Sequence, residues 1–184
     1  MQRTHQILGA ALLALGAGAA HADPQSGFGL DAGIANHSVS GNTTIAPVTP
    51  LSYNSSGLSL GLDYQFALSN DFSFNPFLMT SAESAGGLPA GVNAGHGILG
   101  LQLRFWSGDL FFGGHLAHYT ESLHNSNTRV TTSGNGGGIG LVMGWESPQG
   151  GLFVLGQVDS ARINYVDANV RLRAIRLSGG YRWK

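Results

Sequence analysis

The chain has 184 residues, of which only 10% are charged, with 29 glycines, no cysteine and a formal net charge of −1. Soluble domains carry roughly 25% charged residues, and a nucleic-acid partner calls for a basic face. Composition therefore argues against an ordinary charged soluble surface and against nucleic-acid binding, and the missing cysteines rule out a disulfide framework.

The N-terminus is expected to be a secretory signal. Arg3 and His5 form a short polar start, residues 7–20 are an apolar run, and Ala20-His21-Ala22 fits a small-residue cleavage site. That run is too short and too rich in Gly and Ala for a membrane-spanning helix. Cleavage after Ala22 leaves residues 23–184 as one small domain. No later apolar run is long enough to span a bilayer as a helix.

Beyond the signal, alternation with period two recurs. In residues 56–68, Leu58, Leu60, Leu62, Tyr64, Phe66 and Leu68 take one face, and Ser59, Gly61, Asp63, Gln65 and Ala67 the other. A helix would scatter both sets around its axis. Eight such segments are predicted, over residues 27–40, 57–68, 72–83, 95–105, 110–121, 136–146, 151–164 and 169–183. Each is near or above the ~9–11 residues a tilted strand needs to cross a bilayer.

The connections alternate in kind. Residues 69–71, 106–109 and 147–150 are tight turns by composition, and 165–168 is a short link. Residues 41–56, 84–94 and 122–135 are longer and polar, and are expected to be loops. Short turns on one side and long loops on the other describe an outer-membrane barrel. An even strand count places both chain ends on the side of the tight turns, the periplasmic side.

The apolar rows agree. Phe28, Leu30, Ala32 and Ile34 make one row, Leu99, Leu101, Leu103 and Phe105 another, and Ile139, Leu141, Met143 and Trp145 a third. Aromatics gather near the short turns, as in an interfacial girdle. A water-soluble barrel would turn such rows inward, against equally bulky rows. The predicted fold is therefore an all-β, eight-stranded antiparallel up-and-down transmembrane barrel.

Charged and polar groups fall on the inward parity: Asp31, Asp63, Arg104, Glu146, Asp159 and Arg176, with His96, His115, Gln65, Gln102 and Gln157. An eight-stranded barrel is just wide enough for side chains to fill, and buried charges need partners. These groups are expected to form an interior network of ion pairs and hydrogen bonds that acts as a plug, leaving no open pore. No cluster has metal-ligand spacing, and no cofactor is implied. Residues 135–140 enter a strand, so they do not form a phosphate loop.

Carrying the phase of Trp183, Tyr181, Leu177 and Ile175 upward puts Arg173 and Arg171 on the outer face, and Arg162 has the same parity on the seventh segment. Such arginines suit lipopolysaccharide phosphates near the outer leaflet. A β-bulge would instead turn them inward.

The ending Gly-Gly-Tyr-Arg-Trp (residues 179–183) resembles the close of small outer-membrane barrels of the OmpA/OmpX type, and the eight-segment layout extends that likeness over the mature chain. Trp183 stands where that family usually has Phe, and Lys184 follows it. The resemblance implies that Tyr181 and Trp183 belong to the signal read by the barrel-assembly machinery. It also implies residence in the outer membrane of a Gram-negative bacterium. Its functional expectation is a structural or surface-interaction role, with the loops meeting adhesion or host factors and no catalysis. The alternative comes from His-Asn-Ser-Asn (residues 124–127), which resembles the His-x-Ser-Asn of PagL-type lipid A deacylases; that likeness implies a hydrolase using His124 and Ser126. Residues 23–26 leave no room for the N-terminal amphipathic helix of the palmitoyltransferase barrels.

Overall fold

The computed structural model describes residues 24–44, 50–88, 90–148 and 151–184. The expected signal peptide, residues 1–22, lies outside them. Eight strands follow in order: β1 (Gly27–Thr43), β2 (Pro50–Ser69), β3 (Phe72–Gly86), β4 (Val92–Ser107), β5 (Leu110–Asn125), β6 (Val130–Glu146), β7 (Leu152–Asn164) and β8 (Ala168–Trp183). Every strand pairs antiparallel with its sequence neighbours, and β1 pairs with β8 from Phe28–Trp183 to Thr43–Ala168. That last ladder closes the barrel and removes every sheet edge.

The apolar rows point outward. Leu58 is 73% exposed and Leu116 69%, while Arg104 on the inner face is 2% exposed. A water-soluble barrel would have these values reversed, so the hydrocarbon of a bilayer is the solvent that explains them. The belt runs from the tight-turn rim up to Ile34, Leu58, Leu99, Leu116, Ile139, Val158 and Ile175, all exposed.

Aromatic contacts line the tight-turn rim. Tyr181 meets Trp183 at 5.2 Å between ring centres, and Trp183 meets Phe28 at 5.9 Å. Tyr64, Phe66 and Phe74 continue the line, and Phe72, Phe105 and Phe112 extend it. Amphipathic and flat rings suit the interfacial zone at which this belt ends. Trp106 departs from the row: it is buried inward, and its indole Nε1 donates to Ser73 Oγ at 3.0 Å. Pro76 sits inside β3 without breaking the barrel. The β2–β3 pairing skips from Asp63–Phe77 to Phe66–Phe74 around it, as a residue without an N–H requires.

The polar stretches expected as loops are largely strand. β1 continues to Thr43, β2 starts at Pro50, β3 ends at Gly86, β5 reaches Asn125 and β6 begins at Val130. The connections left between strands are 44–49, 87–91 and 126–129, of which 45–49 and 89 lie outside the described residues, and among the described residues the far rim is largely strand overhang. The cause is a reversal of polarity along the strands. Above the belt the outer face carries Ser38, Ser40, Ser52 and Asn54, all exposed. The inner face there carries Val39, Tyr53, Ile163, Val170 and Leu172, all buried. A strand whose outer face meets water obeys the soluble rule, and polarity alone then resembles a loop.

Candidate functional site

The lumen is layered. At the tight-turn end, Asp63 on β2 is the hub. Its Oδ2 accepts from Arg104 at 3.1 Å, from Arg182 at 3.0 Å and from Asn75 at 3.0 Å. Arg182 Nε also reaches Glu146 Oε2 at 3.1 Å, and Lys184 lies 3.5 Å from the other Glu146 oxygen. Gln102 and Gln65 accept from Arg104, which also lies 4.6 Å from the Phe111 ring centre. Charge-assisted bonds of this kind are what make buried guanidinium groups tolerable. A glycine makes room for the hub: a Cβ on Gly29 would run into the Asp63 carboxylate.

One level up, His115 Nε2 lies 2.9 Å from Asp159 Oδ1 and 3.2 Å from the Tyr119 hydroxyl. Gln157 donates to both Asp159 oxygens. Arg176 donates to Met79 Sδ at 2.6 Å, and its Nε finds no partner among the described residues; nor does Asp31 Oδ1. Of the six inward charges expected from parity, Asp63, Arg104 and Glu146 therefore share one network. Asp31, Asp159 and Arg176 lie apart from it. Arg182, the second guanidinium on Asp63, went unnoticed in the sequence, although its place between Tyr181 and Trp183 dictates an inward side chain.

Higher still, Glu83 on β3 meets His37 on β1 and His96 on β4. Chain spacing carries no hint of this group, because the barrel brings it together across strands. Above it the lumen turns apolar, with Val39, Tyr53, Ile163 and Leu172 in a cluster that continues below it through Phe77, Met79 and Ile98. Glu121 is fully buried and faces Tyr165, in the 165–167 link. Burial, helped by the Glu121 carboxylate, pushes the Tyr165 phenol above its ordinary range.

On the outside, Arg162, Arg171 and Arg173 are all exposed. The β7–β8 register runs without a shift from Leu152–Tyr181 to Asn164–Asn169, so no bulge turns them inward. Arg162 stands directly opposite Arg171, and Arg173 opposite Ser160. Arg171 and Arg173 face Ser40 and Ser38 on β1. A polar hollow of about 700 Å³ is bordered by Ser40, Asn42, Arg162, Asn164, Asn169 and Arg171.

His124 lies at the end of β5, and Ser126 in the turn that follows, where a polar loop was expected. His124 Nδ1 pairs with Thr131 Oγ1 at 3.0 Å, and the Ser126 hydroxyl donates to the Gly91 carbonyl at 2.6 Å. The serine proton is thus engaged by a backbone oxygen and the imidazole by a threonine, an arrangement that does not activate a nucleophile.

No family model matches the sequence, and no curated protein is significantly similar to it. The fold does match solved structures. Ail, the attachment invasion locus protein of Yersinia pestis, aligns at 14% identity and a TM-score of 0.54, over 87% of this chain and 100% of its own. A structure of Ail in complex with the heparin analogue sucrose octasulfate aligns at 15% and 0.52. Neisserial surface protein A aligns at 13% and 0.56, over 85% of this chain and 97% of its own. The outer membrane protein OprG from Pseudomonas aeruginosa aligns at 13% and 0.50, over 89% and 97%. The chain has the fold of the small eight-stranded outer-membrane barrels, of OmpA/OmpX-like type.

Proposed function

We propose that this barrel is exported by a cleaved signal, residues 1–22, and resides in the outer membrane of a Gram-negative bacterium. Its tight turns face the periplasm and its strand overhang faces outward. Its work is structural and surface-interactive, without catalysis. Tyr181 and Trp183 close the final strand, as the barrel-assembly signal requires. The layered lumen, charged below and apolar above, supports a plugged barrel with no open pore.

The observation that carries the surface role is the arginine pair. Like charges directly opposite on neighbouring strands repel, and Arg162 and Arg171 are held so just above the lipid belt. A bridging anion removes that repulsion, and guanidinium groups suit phosphate oxygens. At this height on a membrane barrel the abundant anion is a lipopolysaccharide phosphate. The sulfated ligand held by Ail is consistent with anion recognition on a barrel of this shape. Ligands outside the cell would meet the overhanging ends of β1–β2 and β5–β6.

Replacing Arg162, Arg171 and Arg173 together with Gln tests the reading. The expected result is a barrel that still shifts on unboiled gels yet co-purifies with several-fold less lipopolysaccharide. Unchanged retention overturns the patch. An altered lipid A mass spectrum in cells expressing the unmodified chain would overturn the non-catalytic role, and stable planar-bilayer conductance would overturn the plug.

A further inference from the structure

His37, Glu83 and His96 come from β1, β3 and β4, so β2 lies between the first two. Their ligand atoms all lie within 4.8 Å of one another. His37 Nδ1 is 2.7 Å from Glu83 Oε1, and His96 Nε2 is 3.4 Å from Oε2. Tetrahedral zinc bonded at about 2.0–2.2 Å separates its ligand atoms by about 3.3 Å. Reorientation of these side chains would bring their ligand atoms onto one ion.

Two further features point to a ligand. The carboxylate is already aimed: Ser55 Oγ donates to Oε2 at 2.6 Å and Ser81 Oγ to Oε1 at 2.5 Å. Hydroxyl donors behind a carboxylate fix its orientation toward a metal. His96 is buried, and while its Nε2 faces Glu83, its Nδ1 has no hydrogen-bond partner among the described residues. The two imidazoles stack at 3.9 Å with 9° between planes, so one ring turns out of the stack for both nitrogens to reach one ion.

We propose that His37, Glu83 and His96 form a three-ligand site for a divalent transition-metal ion, with water completing the tetrahedron and zinc the ion that two imidazoles and one carboxylate fit best. The site sits at the level where the outer face changes from Leu and Ile to Ser and Asn. All three residues are 2–5% exposed, so the ion works as a clip across the lumen, closed to substrate. Arg176 donates to Met79 and interacts chiefly with Asp159 and then Asp31, with Glu83 a lesser partner.

The test uses the untagged barrel, refolded in detergent with and without zinc, passed through a chelating column and assayed for bound metal. One zinc per chain is expected, with a higher unfolding midpoint in the zinc-loaded protein. Glu83→Gln and His96→Ala should each bind at least 100-fold more weakly, and His118→Ala with His124→Ala, both exposed positions, should bind as the parent does. Less than a tenth of an equivalent on the parent overturns the site, as does binding that disappears with His118 and His124. If the inner variants do not fold, cobalt on the parent decides: intense visible bands of a tetrahedral nitrogen–oxygen set support the site, and weak octahedral bands overturn it.

Discussion

Asp63 shows how much one inward residue carries. It is a single carboxylate facing two guanidinium groups, at 3.1 and 3.0 Å, in a closed lumen. Its inward side is legible from Leu62 and Tyr64 on either flank. Its partners are not, because Arg104 and Arg182 are 41 and 119 residues away. Asp63→Asn should leave two buried cations undercompensated and cost about 3–5 kcal/mol, the penalty for breaking a buried pair from one side. Denaturant unfolding in micelles, followed by tryptophan fluorescence, measures it. Lys184→Gln, at the 19% exposed end of the same chain of charges, should change the midpoint little. Equal losses from the two substitutions would show that Asp63 is no hub.

At the scale of the element, the strands were legible wherever their outer face meets hydrocarbon. In β2 the row from Leu58 to Leu68 has one period and one meaning. The same strand from Pro50 to Ser56 has the composition of a loop, because its outer residues are Ser and Asn. Composition reports what a surface touches; it does not report whether the backbone is paired. The ladder here is regular, with Ser52 opposite Ser40 and Asn54 opposite both Ser38 and Gly86. Hydrogen–deuterium exchange in micelles should therefore find slow amides at residues 51–56 and 122–125, comparable with those inside the belt. Exchange there as fast as in the 126–129 turn would contradict the overhang.

The whole molecule is two barrels in one. Its lower part is apolar outside and holds the charged network inside, set against a cluster of Trp106, Phe111 and Phe153; its upper part is apolar inside and polar outside. The physical rule is the same throughout, since each face matches its solvent, and what changes is whether lipid or water surrounds the cylinder. Three substitutions should separate accordingly. Leu60→Arg faces hydrocarbon and should cost about 2–4 kcal/mol. Leu172→Arg, buried inside the upper lumen, places an unpaired charge in an apolar cluster and should cost about 3–5 kcal/mol. Asn54→Arg, exposed above the belt, should fall within about 0.5 kcal/mol of the parent. Unfolding midpoints in lipid vesicles give all three, and a tolerated Leu172→Arg would mean the upper lumen is wet.

By itself the sequence determined the strand count, the facing of the belt, the three tight turns and the closing aromatic pair. Those follow from a period of two, which is a property of neighbouring residues and the solvent each side meets. Only the tertiary structure decided which inward groups touch: Arg182 on Asp63, Arg176 on Met79, and two histidines on Glu83. Closing the sheet sets the register of every strand against every other, and a side chain's partner across a lumen depends on all of those registers at once.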